Sequence, residues 1–393
     1  MSHYYPPHVG GLEAVVRHQA RTLVALGHEV VVLSSAVPQA AGVRVEDGVE
    51  VHRLVAWNPV EKAGVPFPFT NPLAFARAVR RVGRVDVVHA HDVQYPTSWM
   101  AALWALVTRT PLVVHQHVAV IDHPRRVVGW VQHLVYAGPG RLVGRIAQRL
   151  VVINSRVEVM LRDLGVAEEK IVFLANGIDH ATFVPPRDDA ERHRLRARHG
   201  LPRDAVLALF VARPVPKKGF PVLMAATSPA YVVVTAGGHA TGEDATGQDK
   251  QGQVIHLGPL PTADIAELMR ASDVFVLPSV AEGFPLTIQE AMASELAIVT
   301  TDDEGYAGYG LDRSLVRLIQ PTPDAVRHAL TEVAEDAELR LAMGQYAGDY
   351  ARTHFSWERH AEGLVATYAE LVRSGDRAHG PRAARRRRHH RRR

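Results

Sequence analysis

Apolar residues along the chain alternate between two spacings. Residues 12–26 carry them at 12, 15, 16, 23 and 24, one face of a helix, and a β-branched run at 29–33 follows with the pattern of a buried strand. Further strand patterns occupy 49–55, 85–89, 112–115, 150–153 and 171–174, and helical patterns near 72–82, 97–108, 126–148 and 156–163 separate them. The turn-rich segment 179–189, with Pro185-Pro186, interrupts this series, and a second one begins near 188. Its strands read as 205–211, 231–235, 254–256, 274–277, 297–300 and 315–319. Its helices read as 218–227, 262–270, 286–294, 324–335, 338–349 and 357–373, with the polar stretch 238–252 as a loop.

Alternation of this kind builds parallel sheets covered by helices, so the expected class is α/β with two Rossmann-like, doubly wound domains at 1–183 and 188–355. A C-terminal helix at 356–374 is expected to pack back on the first domain. Doubly wound sheets bind ligands at the carboxyl ends of their strands, which places the expected ligand in a cleft between the domains. One element is lacking. Such a domain begins with a central strand feeding the first glycine-rich turn, yet Met1 lies only nine residues before Gly10-Gly11, in a Tyr-Tyr-Pro-Pro context unsuited to a central strand. A central strand cannot be omitted without orphaning backbone groups on both neighbours, at about 1–3 kcal/mol each. The reading is therefore that the first strand is missing and that Met1 is a misassigned or truncated start.

Composition narrows the function classes. At 393 residues the chain has room for two cores, and no apolar run reaches the ~18 residues of a membrane span. Cysteine is absent, which excludes disulfides, cysteine nucleophiles and thiolate metal sites. The first residues have no apolar signal-peptide core, so a cytoplasmic location is the default. The net charge of +4 conceals two regions: residues 1–376 hold 36 basic and 41 acidic groups, while 377–393 hold nine Arg and no acid. The tail 377–393 is expected to be disordered and solvated, with weak attraction to anionic lipid or nucleic acid as the alternative.

Three segments carry candidate chemistry. Gly10-Gly11 precedes a helix, where free N–H groups favour an anion, although a plain turn is the better reading of it taken alone. Arg213 and Lys218 lie in the loop after the second domain's first strand, where a guanidinium and an ammonium suit a diphosphate. In Glu282-Gly-Phe-Pro-Leu-Thr-Ile-Gln-Glu290, two carboxylates flank the start of a helix, able to accept from sugar or ribose hydroxyls, and the amides of Gly283 and Phe284 add donors between them.

Together these segments resemble the family 4 retaining glycosyltransferases of the GT-B fold. The resemblance runs in order through Gly10-Gly11, Val87-Val-His-Ala-His91, Pro111-Leu-Val-Val-His-Gln-His117, Asn176-Gly-Ile-Asp179, Arg213 with Lys218-Gly219, Gly237-Gly238 and the block from Glu282 to Ala293. It implies that Arg213 and Lys218 hold a donor diphosphate, that Glu290 accepts from the ribose, and that Glu282 contacts the donor sugar with the Gly283 and Phe284 amides. It also implies that Gly10 and Gly11 approach the donor from the other domain and that His117 lies beside the reacting sugar, making His117 and Glu282 the catalytic candidates. His115, two residues earlier, is read as facing away and structural. Ala212, Ala175 and Val118 depart from the family's usual Gly, Pro and Gly, and Val118 narrows the space beside the sugar.

The expected activity is a retaining transfer from a nucleotide-diphosphate sugar, as co-substrate, to a hydroxyl acceptor: a glycan, a lipid-linked sugar or a small molecule. No Asp-x-Asp sequence occurs, so neither a metal nor a cofactor is expected, and cations and helix N-termini neutralise the leaving diphosphate. Residues 123–157 hold six Arg and no acid, interleaved with apolar residues, a stretch suited to peripheral contact with an anionic membrane or to an ordinary solvated helix. The alternatives are a nucleotide-sugar epimerase or glycan phosphorylase on the same fold, or an inactive truncated relative. No specific nucleic-acid partner is expected, because the body lacks an aromatic and basic platform.

Overall fold

The computed structural model describes residues 1–8, 10–36, 40–59, 67–120, 126–238, 247–248, 252–280 and 283–379, without the side chains of 126–128, 248 and 375–379. The chain divides into two compact units: Met1–Ala175 with the segment from Trp357 onward, and Asn176–Ser356. The boundary falls before the expected linker at 179–189, because the chain from Asn176 is already bonded into the second unit. Ile178 bridges Ser356 and donates its N–H to Phe355 O at 3.3 Å.

Unit 1 runs α1 Gly11–Ala25, β1 Val31–Ser35, β2 Gly42–Glu46, β3 Val49–Leu54, β4 Ala56–Trp57, β5 Phe69–Thr70, α2 Pro72–Val82, β6 Val88–His91, α3 Pro96–Thr108, β7 Leu112–Gln116, α4 Arg126–Val135, α5 Arg141–Ile146, β8 Arg149–Val152, α6 Ser155–Asp163 and β9 Ile171–Phe173. Its strands form two sheets, β1-β3-β2 and β6-β7-β8-β9, beside a two-stranded β4-β5 ribbon. Asn71 and Asn154 start α2 and α6 by accepting from the second or third amide of each helix.

The slot expected to be empty is occupied. Met1 N donates to His89 O (2.5 Å) and His91 N to Met1 O (3.1 Å), while Ser2 N donates to Leu33 O (3.1 Å) and Ser35 N to His3 O (3.3 Å). Residues 1–3 thus satisfy the facing edges of β1 and β6 at their carboxyl ends, where unpaired groups would be costly.

The β6–β9 sheet is buried on both faces. Val88, Ala90, Leu112, Val114, Leu150 and Val152 face one core, while Val113 and Val151 pack with Leu364 and Leu371. Those two leucines belong to the last helix, α13 Trp357–His379. Three further readings change. The single helix expected at 126–148 is broken by a π-type turn at Tyr136–Gly140, where Pro139 removes a donor. β2 escaped notice because Val43 and Val45 face outward on an edge strand. Arg377 to His379 continue α13 rather than begin a disordered tail, and 380–393 lie outside the described residues.

Unit 2 runs α7 Asp189–Arg198, β10 Leu207–Val211, α8 Phe220–Met224, β11 Val232–Ala236, β12 Gly247–Gln248, β13 Val254–His256, α9 Thr262–Ala271, β14 Val274–Leu277, α10 Leu286–Ala293, β15 Ala297–Thr301, β16 Arg317–Ile319, α11 Pro323–Glu335 and α12 Ala337–His354. The strand order β12-β13-β11-β10-β14-β15-β16 is doubly wound, parallel except at β12, and reverses direction at β10. That reversal opens a crevice at the carboxyl ends of β10 and β14. The polar stretch read as a loop contributes the short edge strand β12, although most of it lies outside the described residues. The helix α7 was not anticipated, since Leu195 and Arg196 are its buried residues and leave almost no apolar period. Arg196 is anchored by Asp273 (2.7 Å) and by the carbonyls of Ala271 (2.8 Å), Arg203 (2.7 Å) and Ala205 (2.9 Å).

Candidate active site

In unit 2 the candidate donor residues gather on two loops at the crevice. β10 ends at Val211 and delivers exposed Arg213, and a 3₁₀ turn at Pro216–Lys218 brings half-buried Lys218 to Gly219. Gly219 has φ +74° and starts α8, and a Cβ there would lie 2.0 Å from Pro278 O, so only glycine permits this approach. Gly237, with φ +139°, is pressed against Ala212 O in the same way, at 2.1 Å. The loop after β14 is bonded to the cationic turn, Val280 N donating to Lys217 O at 2.9 Å. The stretch 278–285 then leads into α10, which carries Glu290.

Phe284 is the anchor of this second loop. Its ring packs edge-on against Tyr306, Tyr309 and Phe355 at 4.5–5.2 Å, which fixes the backbone of Gly283 and Phe284. The side chain therefore serves the core, and only its amide is left to serve a ligand. Burial pushes the Glu290 carboxyl up from 4.5 to about 7. Glu282 lies outside the described residues.

Gly10, Gly11 and His117 lie in unit 1. Gly10 precedes α1 in extended conformation, and the Glu13 carboxylate folds back over it: a Cβ on Gly10 would lie 2.2 Å from Glu13 Oε2. A glutamate at the third helical position thus occupies the end of α1. At Gly11 the space is open, since among the described residues nothing lies within 4 Å of where a Cβ would stand.

His117 follows β7. Its N–H donates to buried Asp92 Oδ1 (2.7 Å), and its Nε2 lies 3.0 Å from His91 Nδ1. Asp92 itself sits at φ +60°, held by its own N–H to His115 O (2.8 Å), and burial raises its carboxyl to about 7. Burial drives the His117 imidazole down to about 3, so it meets a ligand as a neutral group able to donate or accept one hydrogen bond. The reading of His115 is corrected here. Residues two apart on a strand share a face, and the His115 and His117 rings stack with centroids 4.0 Å apart.

His115 belongs to a larger polar cluster that motif reading missed. His89, His91 and His115 project from adjacent β6 and β7, His91 directly beside His115. His360 of α13 and Gln19 of α1 join them, with Gln19 Nε2 2.9 Å from His115 Nδ1 and 2.8 Å from His360 Nε2. Tyr368 OH bonds His89 Nδ1. Burial holds His89, His91 and His115 well below the ordinary histidine range, and His360 at about 4. The signal in the sequence was the repeated His-x-His spacing at 89–91 and 115–117.

In unit 1, Trp130, Leu134 and Leu142 are 65%, 48% and 58% exposed, and Arg141 and Arg145, close to them in sequence, are also exposed. No helix among the described residues is long and apolar enough to cross a membrane.

Comparison with known proteins places this geometry. The sequence profile of Glycosyltransferase Family 4 matches residues 9–182, and that of Glycosyl transferases group 1 matches residues 191–349. The chain is 30% identical to a D-inositol 3-phosphate glycosyltransferase of Kineococcus radiotolerans over 421 aligned positions, covering 95% of this chain and 94% of the relative. It is 27% identical to the Jonesia denitrificans enzyme of the same name, with 91% of each chain covered. Among solved structures it is similar to a sucrose-phosphate synthase from Thermosynechococcus elongatus, with a TM-score of 0.73 at 20% identity, covering 93% of this chain and 94% of that one. It is also similar to HepE of Anabaena in complex with UDP and glucose, with a TM-score of 0.70 at 17% identity, covering 94% and 98%.

The two α/β units are those of the GT-B fold. The chain belongs to the group 1, family 4 glycosyltransferases, and its reaction is sugar transfer from a nucleotide sugar to a hydroxyl acceptor.

Proposed function

We propose that the protein is a retaining glycosyltransferase that needs no metal on the donor diphosphate. The observation that carries this reading is the Val280–Lys217 bond, which ties the cationic turn to the loop leading into α10. Arg213 and Lys218 grip the diphosphate oxygens, and Glu290 accepts from the ribose hydroxyls. Glu282, with the Gly283 and Phe284 amides, receives the sugar. As the bond from the anomeric carbon to the diphosphate breaks, the negative charge grows on oxygens that the two cations face. Neutral His117 is suited to hydrogen-bond a sugar hydroxyl. Thermal-shift titration against a panel of nucleotide-diphosphate sugars tests the reading, because a ligand of the folded state raises its melting temperature. Stabilisation by one donor, equal with and without Mg²⁺ or Mn²⁺, is expected. Strict dependence on either ion would overturn the metal-free assignment.

The acceptor is proposed to be lipid-linked and collected at the inner face of an anionic membrane. Exposed Trp130, Leu134 and Leu142 beside Arg141 and Arg145 offer apolar insertion together with charge attraction. Co-sedimentation with phosphatidylglycerol vesicles, weaker with phosphatidylcholine and weaker again for Trp130→Ala, is the expected result.

A further inference from the structure

We infer that His89, His91 and His115 form a binding site for a first-row divalent transition ion, Zn²⁺ being the reference case. The site is separate from the donor diphosphate. A His-x-His pair on β6 and a third histidine at the paired position of β7 put three imidazoles on one sheet face, and one ring nitrogen of each lies within 4.8 Å of the others. Three imidazoles are a known catalytic zinc donor set, in which nitrogens stand about 3.3 Å apart around the ion, a distance reached by modest ring rotation. Neutral nitrogen ligands select Zn²⁺, Co²⁺, Ni²⁺ or Cu²⁺ over Mg²⁺ or Ca²⁺.

The outer partners have the arrangement that orients metal-binding histidines. Each of the three uses Nδ1 on a neighbour: Tyr368 OH for His89, His117 Nε2 for His91, and Gln19 for His115. The Nε2 atoms of His89 and His115 are buried and have no hydrogen-bond partner among the described residues. Leaving such groups unmatched is costly, and an ion is a partner that would satisfy both.

Tautomers make the inference sharper. His360 Nδ1 is 2.8 Å from Ala175 O and must donate there, so its Nε2 accepts from the Gln19 amide. The second amide hydrogen then points to His115 Nδ1, which leaves the proton of neutral His115 on Nε2. Loading an ion would need that proton on Nδ1 and the Gln19 amide turned so that its oxygen accepts it; because the same Gln19 atom faces His360 Nε2, His360 would then have to take up a proton in order to donate to that oxygen. No net proton is released by His115. A carboxylate at position 19 would favour the loaded state.

The test titrates Co²⁺ into the full chain, reading visible absorption, and then Zn²⁺ in competition. His389 and His390 contribute equally to every protein compared, so the difference between wild type and variants reports the cluster. One equivalent of tightly held ion per chain is expected to depend on the cluster. Affinity should fall more than about 100-fold in His115→Gln and about tenfold in Gln19→Ala, and should rise in Gln19→Glu. Should His115→Gln fail to fold, the two Gln19 variants carry the test. Absence of cobalt bands in the wild type overturns the inference. So does unchanged affinity in the folded His115→Gln protein, or in both Gln19 variants.

Discussion

The polar groups nearest the candidate ligands differ between the two units. In unit 1, six imidazoles, those of His3, His89, His91, His115, His117 and His360, are pushed by burial toward their neutral form. In unit 2, Arg196 is buried as a cation because Asp273 and three carbonyls answer its guanidinium, and Arg213 and Lys218 stand at the strand ends. The difference matches two kinds of ligand. A hydroxyl is best met by neutral groups that both donate and accept, whereas a diphosphate is best met by fixed positive charge.

The comparison breaks most visibly at Arg196. Arg196→Ala takes the main cation from half-buried Asp273, to which Leu207 N–H still donates, and leaves three carbonyls without their donor, and it should cost unit 2 about 3 kcal/mol, measured by urea unfolding. A loss below about 1 kcal/mol would show that the buried charge is not what holds α7 in place. At the strand ends, Arg213→Ala or Lys218→Ala should each lower kcat/KM for the donor about 100-fold, with stability little changed. Because both grip one diphosphate, the double variant should lose less than the product of the two single effects.

Glu290 sharpens the contrast through pH. Ribose hydroxyls donate to the carboxylate form, so donor affinity should rise with pH up to about 7 and then level off. Glu290→Gln should flatten that profile. Stability has the opposite sign: a carboxyl raised from 4.5 to about 7 stabilises the fold fully below pH 4.5 and loses that contribution as pH climbs through 7. The Gln variant should accordingly melt higher than wild type at pH 8 while binding donor worse. The smallest expected effect is at Asn154, which caps α6 by accepting from Val157 N at 2.9 Å. Asn154→Ala should cost unit 1 about 1 kcal/mol in chemical denaturation without altering donor affinity.

Much of the fold was legible because buried strands such as Leu207–Val211 and Val274–Leu277 are unbroken apolar runs between helical periods. Legibility failed where burial and hydrophobicity part company. Leu195 gives α7 too little apolar signal, since the helix is held by Arg196, and β2 exposes its valines on a sheet edge. The pairing of residues 1–3 with the carboxyl ends of β1 and β6 was not anticipated, because residue type does not reveal it. At the candidate site, Arg213, Lys218 and Glu290 stood out as charges in loops or at a helix start. Gln19, His360 and Tyr368 did not, because they meet the His-x-His pairs only after α1 and α13 pack on the sheet.

The route of the chain also bears on its birth at the ribosome. Unit 2 is one continuous segment, Asn176–Ser356, whereas unit 1 needs residues made both before and after it. Leu364 and Leu371, which cover Val113 and Val151, and Tyr368, which partners His89, are translated after the whole of unit 2. The amino-terminal sheet must therefore wait, with one apolar face bare, until the intervening domain has been synthesised and is free to fold first. That reverses the usual order of vectorial folding.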